Sequence, residues 1–102
     1  MLSFPDINNK IPLDFDAWKL IGDHHIELIL ISLKPGEAIE KHLNNIPVVF
    51  FCASGEGTLM AGGLSHPIRQ NGAVYIRPDI SRSVKNSGSK ELRIVVFKLL
   101  QT

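Results

Sequence analysis

The sequence predicts an all-β sandwich or barrel, and three observations carry that expectation. Turn signals recur roughly every 8–12 residues, no window sustains a helical period, and the strand-length segment His24–Leu33 is apolar at nearly every position, with Leu92–Leu99 a further strong strand. At 102 residues the chain is long enough for one core and not for two.

Residues 1–12 carry Pro5, Asn8, Asn9 and Pro12 and read as an irregular arm. Phe4, Ile7, Ile11, Leu13 and Phe15 give that arm apolar anchors, so it is expected to lie on something. Ala17–Ile21 is a strand candidate broken at Gly22-Asp23. Residues 1–21 are therefore assigned to an N-terminal arm with a short strand, packing on the domain or across a dimer, and residues 22–102 to the β domain itself. In His24–Leu33, period two puts Ile26, Leu28 and Leu30 on one face and Ile29, Ile31 and Leu33 on the other, so both faces should be covered. Lys34-Pro35-Gly36-Glu37 has Pro and Gly where a type II turn wants them. A short strand carrying His42 follows, then a strand Pro47–Ala53 and the turn Gly55-Glu56-Gly57. Thr58–Ala61 ends at the hairpin signal Gly62-Gly63. Leu64–Gln70, Ala73–Ile76 and Ser83–Asn86 are separated by Asn71-Gly72 and Pro78, and Leu92–Leu99 is the last strand.

Composition excludes several function classes. Hydrophobic residues make up 44%, charged residues 21%, and the net charge is +1. That balance gives no reason to expect nucleic acid or an anionic membrane as partner. Arg77, Arg82, Lys85 and Lys90 form a local basic patch without interleaved aromatics, a weak nucleic-acid signal. The single cysteine, Cys52, precludes an intrachain disulfide. The first residues lack a basic and an apolar signal region, and no apolar run reaches the roughly 18 residues needed to span a bilayer. A cytoplasmic protein is expected.

Two glycine frameworks carry a family resemblance. Gly36, five residues, His42 and later Gly55-Glu56-Gly57 resemble the first motif of the cupin family of small β-barrels. Gly72, the five residues Ala73 to Arg77, Pro78 and the run Val84-Lys85-Asn86-Ser87-Gly88 resemble the second. The resemblance spans roughly Leu28 to Leu99 and implies a jelly-roll barrel, the double-stranded β-helix of single-domain cupins. It further implies a metal site of three histidines and a glutamate. Here His42 is retained, Asn44 stands at the second histidine and Val48 at the glutamate. Arg82 stands at the third histidine if the loop Asp79-Ile80-Ser81 is one residue short; otherwise Ser83 does.

One imidazole and one amide do not make the three good ligands that a tight catalytic metal needs, and a guanidinium repels a cation. No cofactor is therefore expected. The alternative is a metal-dependent enzyme of the dioxygenase or isomerase type, holding divalent Fe, Mn, Ni or Zn with His25 or His66 substituting beside His42. Val48, Phe50 and Cys52 share a strand face with the lost glutamate. With His42, Asn44 and Arg82 they predict an apolar pocket with a few polar groups, suited to a small anionic metabolite. The bland counterpart is a barrel packed shut, in a structural or regulatory dimer.

Other candidates are weaker. His24 and His25 are read as strand residues pointing to opposite faces, and His66 as a surface residue. Cys52 is a conceivable nucleophile with His42 as base, and more simply a small core residue. Asp14, Asp16 and Asp23 read as solvated turn residues. The doubly apolar strand and the arm's anchors exceed what one small barrel buries, and the resemblance implies a homodimer packing sheet against sheet. Strand 24–33 or the arm is expected at that interface.

Overall fold

The computed structural model describes residues 10–100, so the anchors expected of Phe4 and Ile7 lie outside the described residues. Nine strands occupy the described residues: β1 Asp16–Gly22, β2 Ile26–Leu33, β3 Ala38–His42, β4 Val48–Ser54, β5 Glu56–Ala61, β6 Leu64–Arg69, β7 Ala73–Ile76, β8 Arg82–Lys85 and β9 Leu92–Leu99. They form a five-stranded sheet in the order β1-β2-β9-β4-β7 and a four-stranded sheet in the order β3-β8-β5-β6. Every strand pair is antiparallel. From β2 onward the chain crosses between the sheets five times, at β3, β4, β5, β7 and β8, and a sixth time at β9, as a jelly roll requires. No helix among the described residues is long and apolar enough to cross a membrane.

The core lies between the sheets and follows from alternation. Ile29, Ile31 and Leu33 of β2, Val48 and Phe50 of β4, and Ile94 and Val96 of β9 face inward from the large sheet. Leu59, Ile68 and Val84 meet them from the small one. At a generic 25 cal/mol per Å² of apolar area, burying each of these side chains contributes about 1.5–3 kcal/mol.

The predicted type II turn forms at Lys34–Glu37. The amide of Glu37 donates to the Lys34 carbonyl at 2.9 Å, and Gly36 takes φ 87°. Between β4 and β5 only Gly55 intervenes, at φ 86°. A Cβ there would sit 2.4 Å from the Glu91 carbonyl oxygen, so no other residue makes this corner without displacing backbone.

One expectation is revised. The strand expected to start at His24 starts at Ile26, and His24 and His25 lie exposed in the β1–β2 turn. The reason is Asp23: its carboxylate accepts the His25 amide at 2.8 Å, and its own amide donates to the Ile26 carbonyl at 3.1 Å. The short strand of the arm, β1, is the outermost member of the large sheet, with Ala17 fully buried.

The outer face of the large sheet is apolar as well. One cross-strand row reads Ile21, Leu28, Phe97, Val49, Tyr75, and the next reads Trp18, Leu30, Val95, Phe51, Ala73. β2 is thus apolar on both faces, as its sequence predicts.

Candidate ligand-binding cavity

An irregularity in β3 builds the site. Ile39 pairs with Val84 and His42 with Arg82, so three residue steps on β3 match two on β8. The extra residue is a β-bulge, and it puts His42, itself exposed, on the same side of the sheet as Ile39 instead of the opposite one. Arg82, two residues from the buried Val84, faces inward too. Ser83 faces out opposite Met60. Arg82 is therefore the residue standing beside His42.

His42, Asn44, Val48, Phe50 and Arg82 all line one cavity of about 310 Å³ at this end of the barrel. The barrel is not filled by side chains here. Cys52, expected with them, does not line it. It sits further along β4, its Sγ donating weakly to the carbonyls of Ser54 at 3.4 Å and Gly55 at 3.5 Å. Burial pushes the Cys52 thiol up, which keeps it protonated and far from a thiolate nucleophile for His42 to activate.

The rest of the wall is hydrocarbon. Ile29, Ile31 and Val96 come from the large sheet and Ile39 from the small one. Ile11, Leu13 and Phe15 cover one side from the segment preceding β1. Lys98 joins them, inward because it is two residues beyond Val96. Lys98 pairs with Glu27 at 3.4 Å, and Glu27 takes Lys19 at 3.4 Å as well. Among the described residues, no acidic side chain lines the cavity.

Arg82 is the unusual member. Its residue is 1% exposed, yet no carboxylate among the described residues meets it. Nε donates to the Ile80 carbonyl at 2.7 Å and Nη2 to the Arg77 carbonyl at 3.4 Å, while Nη1 is buried without a partner among the described residues. Burial pulls its pKa down, but a guanidinium starts so high that it remains a cation. The two carbonyls it binds bracket a turn in which Asp79 takes φ 65° and donates its amide to the Asn44 carbonyl at 2.8 Å. His42 Nδ1 lies 2.9 Å from the Glu40 carbonyl. A carbonyl only accepts, so this contact puts a proton on Nδ1 and leaves Nε2 for a ligand.

The histidines offered as substitute metal ligands are elsewhere. His25 is in the β1–β2 turn, and His66 on β6 lines a separate groove beside Tyr75. Asp16 pairs with Lys10 at 2.8 Å. Among the described residues, no three His, Cys, Asp or Glu side chains cluster as a metal site. One imidazole, one amide and a guanidinium are a donor set that does not fit a divalent cation.

Sequence reasoning missed Lys98 and the lining role of Ile11, Leu13 and Phe15. Alternation from Val96 would have found Lys98. The arm residues carried only the signal of apolarity.

The family described as Cupin domain matches residues 29–98. No curated protein matches the sequence. Among solved structures, the chain resembles an RmlC-like cupin family protein with a double-stranded β-helix fold from Methanocaldococcus jannaschii. The two share 26% identity and a TM-score of 0.78 over 89% of this chain and 80% of that one. A predicted oxalate decarboxylase from Thermotoga maritima is 17% identical, with TM-score 0.81 over 97% and 94% of the two chains. KdgF from Halomonas sp. is 9% identical, with TM-score 0.84 over 99% and 96%. At those last two identities the likeness is one of fold.

Proposed function

The chain belongs to the cupin family, and we propose that it is a metal-free member that binds a small anionic metabolite in the barrel cavity. The observation that carries this reading is Arg82: a buried cation with one nitrogen unpartnered among the described residues, in the wall of a cavity that no described acidic side chain lines. Buried donors are almost always paired, and a guanidinium pairs best with a carboxylate or phosphate. His42 and Asn44 supply the remaining polar contacts. The free, buried Cys52 fits a reducing compartment, in keeping with a cytoplasmic protein.

The test is a thermal-shift screen of carboxylates and sugar phosphates. A ligand at 100 times its Kd adds about 2.7 kcal/mol, which raises the melting temperature of a domain this size by about 10 °C or more. No stabilisation by any anion sinks the reading. Metal analysis of the purified protein separates it from the metalloenzyme alternative: a full equivalent of Fe, Mn, Ni or Zn would overturn the metal-free assignment.

We further propose a homodimer joined through the outer face of the large sheet. The two apolar cross-strand rows give a continuous patch, of the kind that marks an interaction surface, with β9 at its centre and β2 beside it. Sedimentation equilibrium is expected to give a dimer at micromolar concentration, and Val95→Lys in the middle of the patch a monomer. A wild-type monomer at that concentration overturns the proposal.

A further inference from the structure

Building on the anion reading, we infer that the ligand is an amphipathic monocarboxylate of about ten non-hydrogen atoms, headed at Arg82 and bodied in hydrocarbon. The size follows from the cavity: about 310 Å³ is the liquid volume of about ten waters. The single charge follows from the cations. Of Arg82 and Lys98, the arginine and lysine that line the cavity, Arg82 has a nitrogen without a partner among the described residues, whereas Lys98 is already engaged by Glu27. A second carboxylate would have to compete for Lys98 or go unpaired, at the cost of a buried charge.

The apolar body follows from the walls. The polar side chains of the lining are His42, Asn44, Arg82 and Lys98, and His42 and Arg82 are direct cross-strand partners. The remaining lining is aliphatic or aromatic, so the hydroxyls of a sugar acid would be buried there without partners. Part of that hydrocarbon is supplied by a strap, the residues before β1. The strap is held by the Ile11 amide donating to the Ala17 carbonyl at 2.8 Å, and by Lys10, which pairs with Asp16 at 2.8 Å and lies 5.9 Å from the Trp18 ring centroid. It presents Ile11, Leu13 and Phe15 to the cavity, and Leu13 is still 52% exposed. A ligand tail beneath the strap buries that surface; a polar ligand leaves it in water.

Calorimetric titration with straight-chain carboxylates from butanoate to dodecanoate, below their micelle concentrations, tests this. Affinity is expected to rise about three- to fourfold per methylene and to level off near eight carbons, where about ten non-hydrogen atoms fill the cavity. Phe15→Ser should weaken octanoate at least about tenfold and leave butanoate within about twofold, since only the longer tail reaches the strap. Leu13→Ser, at a half-exposed position that tolerates a polar residue, should act in the same direction should Phe15→Ser fail to fold. Malonate or a sugar acid binding more tightly than octanoate overturns this inference and leaves the anion reading standing. So does equal weakening of butanoate and octanoate by both strap variants, or an affinity that keeps climbing to dodecanoate. Failure of every carboxylate to bind overturns both.

Discussion

Arg82→Met is expected to lose carboxylate binding at least about 30-fold while melting no more than about 8 °C below the unmodified protein. Truncating one partner of a desolvated charge pair costs a complex about 2–5 kcal/mol, which sets the first figure. The second follows from what Arg82 lacks. Its guanidinium is buried, and among the described residues no carboxylate lies beside it and Nη1 has no partner. Replacing an uncompensated buried polar group with hydrocarbon of similar length removes a cost of roughly 1–3 kcal/mol. Against this stand the bonds to the Ile80 and Arg77 carbonyls, which steady the turn at Asp79. Losing them costs about 1–2 kcal/mol. The balance lies between about 1 kcal/mol destabilising and about 2 kcal/mol stabilising, and each kcal/mol moves the melting temperature of such a domain by about 4–8 °C. Differential scanning calorimetry with and without octanoate reads both effects. A residue that weakens the free protein and strengthens the complex is one retained for its ligand. A drop of more than about 8 °C in the free protein would instead make Arg82 a clamp on the turn and would sink the binding role.

Most of the fold was legible because strands and turns are written locally. Lys34-Pro35-Gly36-Glu37 forms the turn its residues demand, and β2 is apolar on the two faces that its alternation separates. The site was less legible because it depends on register. Alternation places Val48, Phe50 and Cys52 on one face, and all three are indeed buried. It does not say where along the strand a cavity opens. Val48 pairs with Lys98 at the cavity end, whereas Cys52 pairs with Ile94 toward the Gly55 corner, so one of the three is buried in solid core. The bulge in β3 is equally silent: Glu40 and Lys41 are ordinary strand residues, and only the partners Val84 and Arg82 reveal the extra one. Arg82 itself was found through the spacing of the second glycine framework, a signal of family. Its missing acidic partner is a property of the folded cavity, visible only once the strands are paired.

Asn86→Ala is expected to be among the most destabilising single changes in the chain, at about 3–4 kcal/mol, or a fall of about 15–25 °C in melting temperature. Asn86 is 1% exposed and uses its whole amide. Nδ2 donates to the Leu33 carbonyl at 2.8 Å and to the Lys90 carbonyl at 2.7 Å, and Oδ1 accepts the Gly88 amide at 3.0 Å. Its backbone binds across to the type II turn: the Gly36 amide donates to the Asn86 carbonyl at 3.0 Å, and the Asn86 amide to the Glu37 carbonyl at 2.9 Å. One side chain thus joins the end of β2, the β8–β9 turn and the entry to β9. Alanine keeps the backbone bonds but orphans two carbonyls and an amide, at least one of them fully out of water's reach. Asn86→Asp sharpens the test, since it preserves shape and reverses the donor. An ionised carboxylate there would point an oxygen at two carbonyls, so the folded state favours the protonated acid and raises its pKa. Stability of that variant should therefore increase as pH falls through the folded value, opposite to an ordinary salt-bridged carboxylate. Urea denaturation of both variants at neutral and mildly acidic pH measures this. A loss below about 1 kcal/mol for alanine, or an aspartate variant indifferent to pH, would mean that water replaces the amide and that the three segments are held together by packing alone.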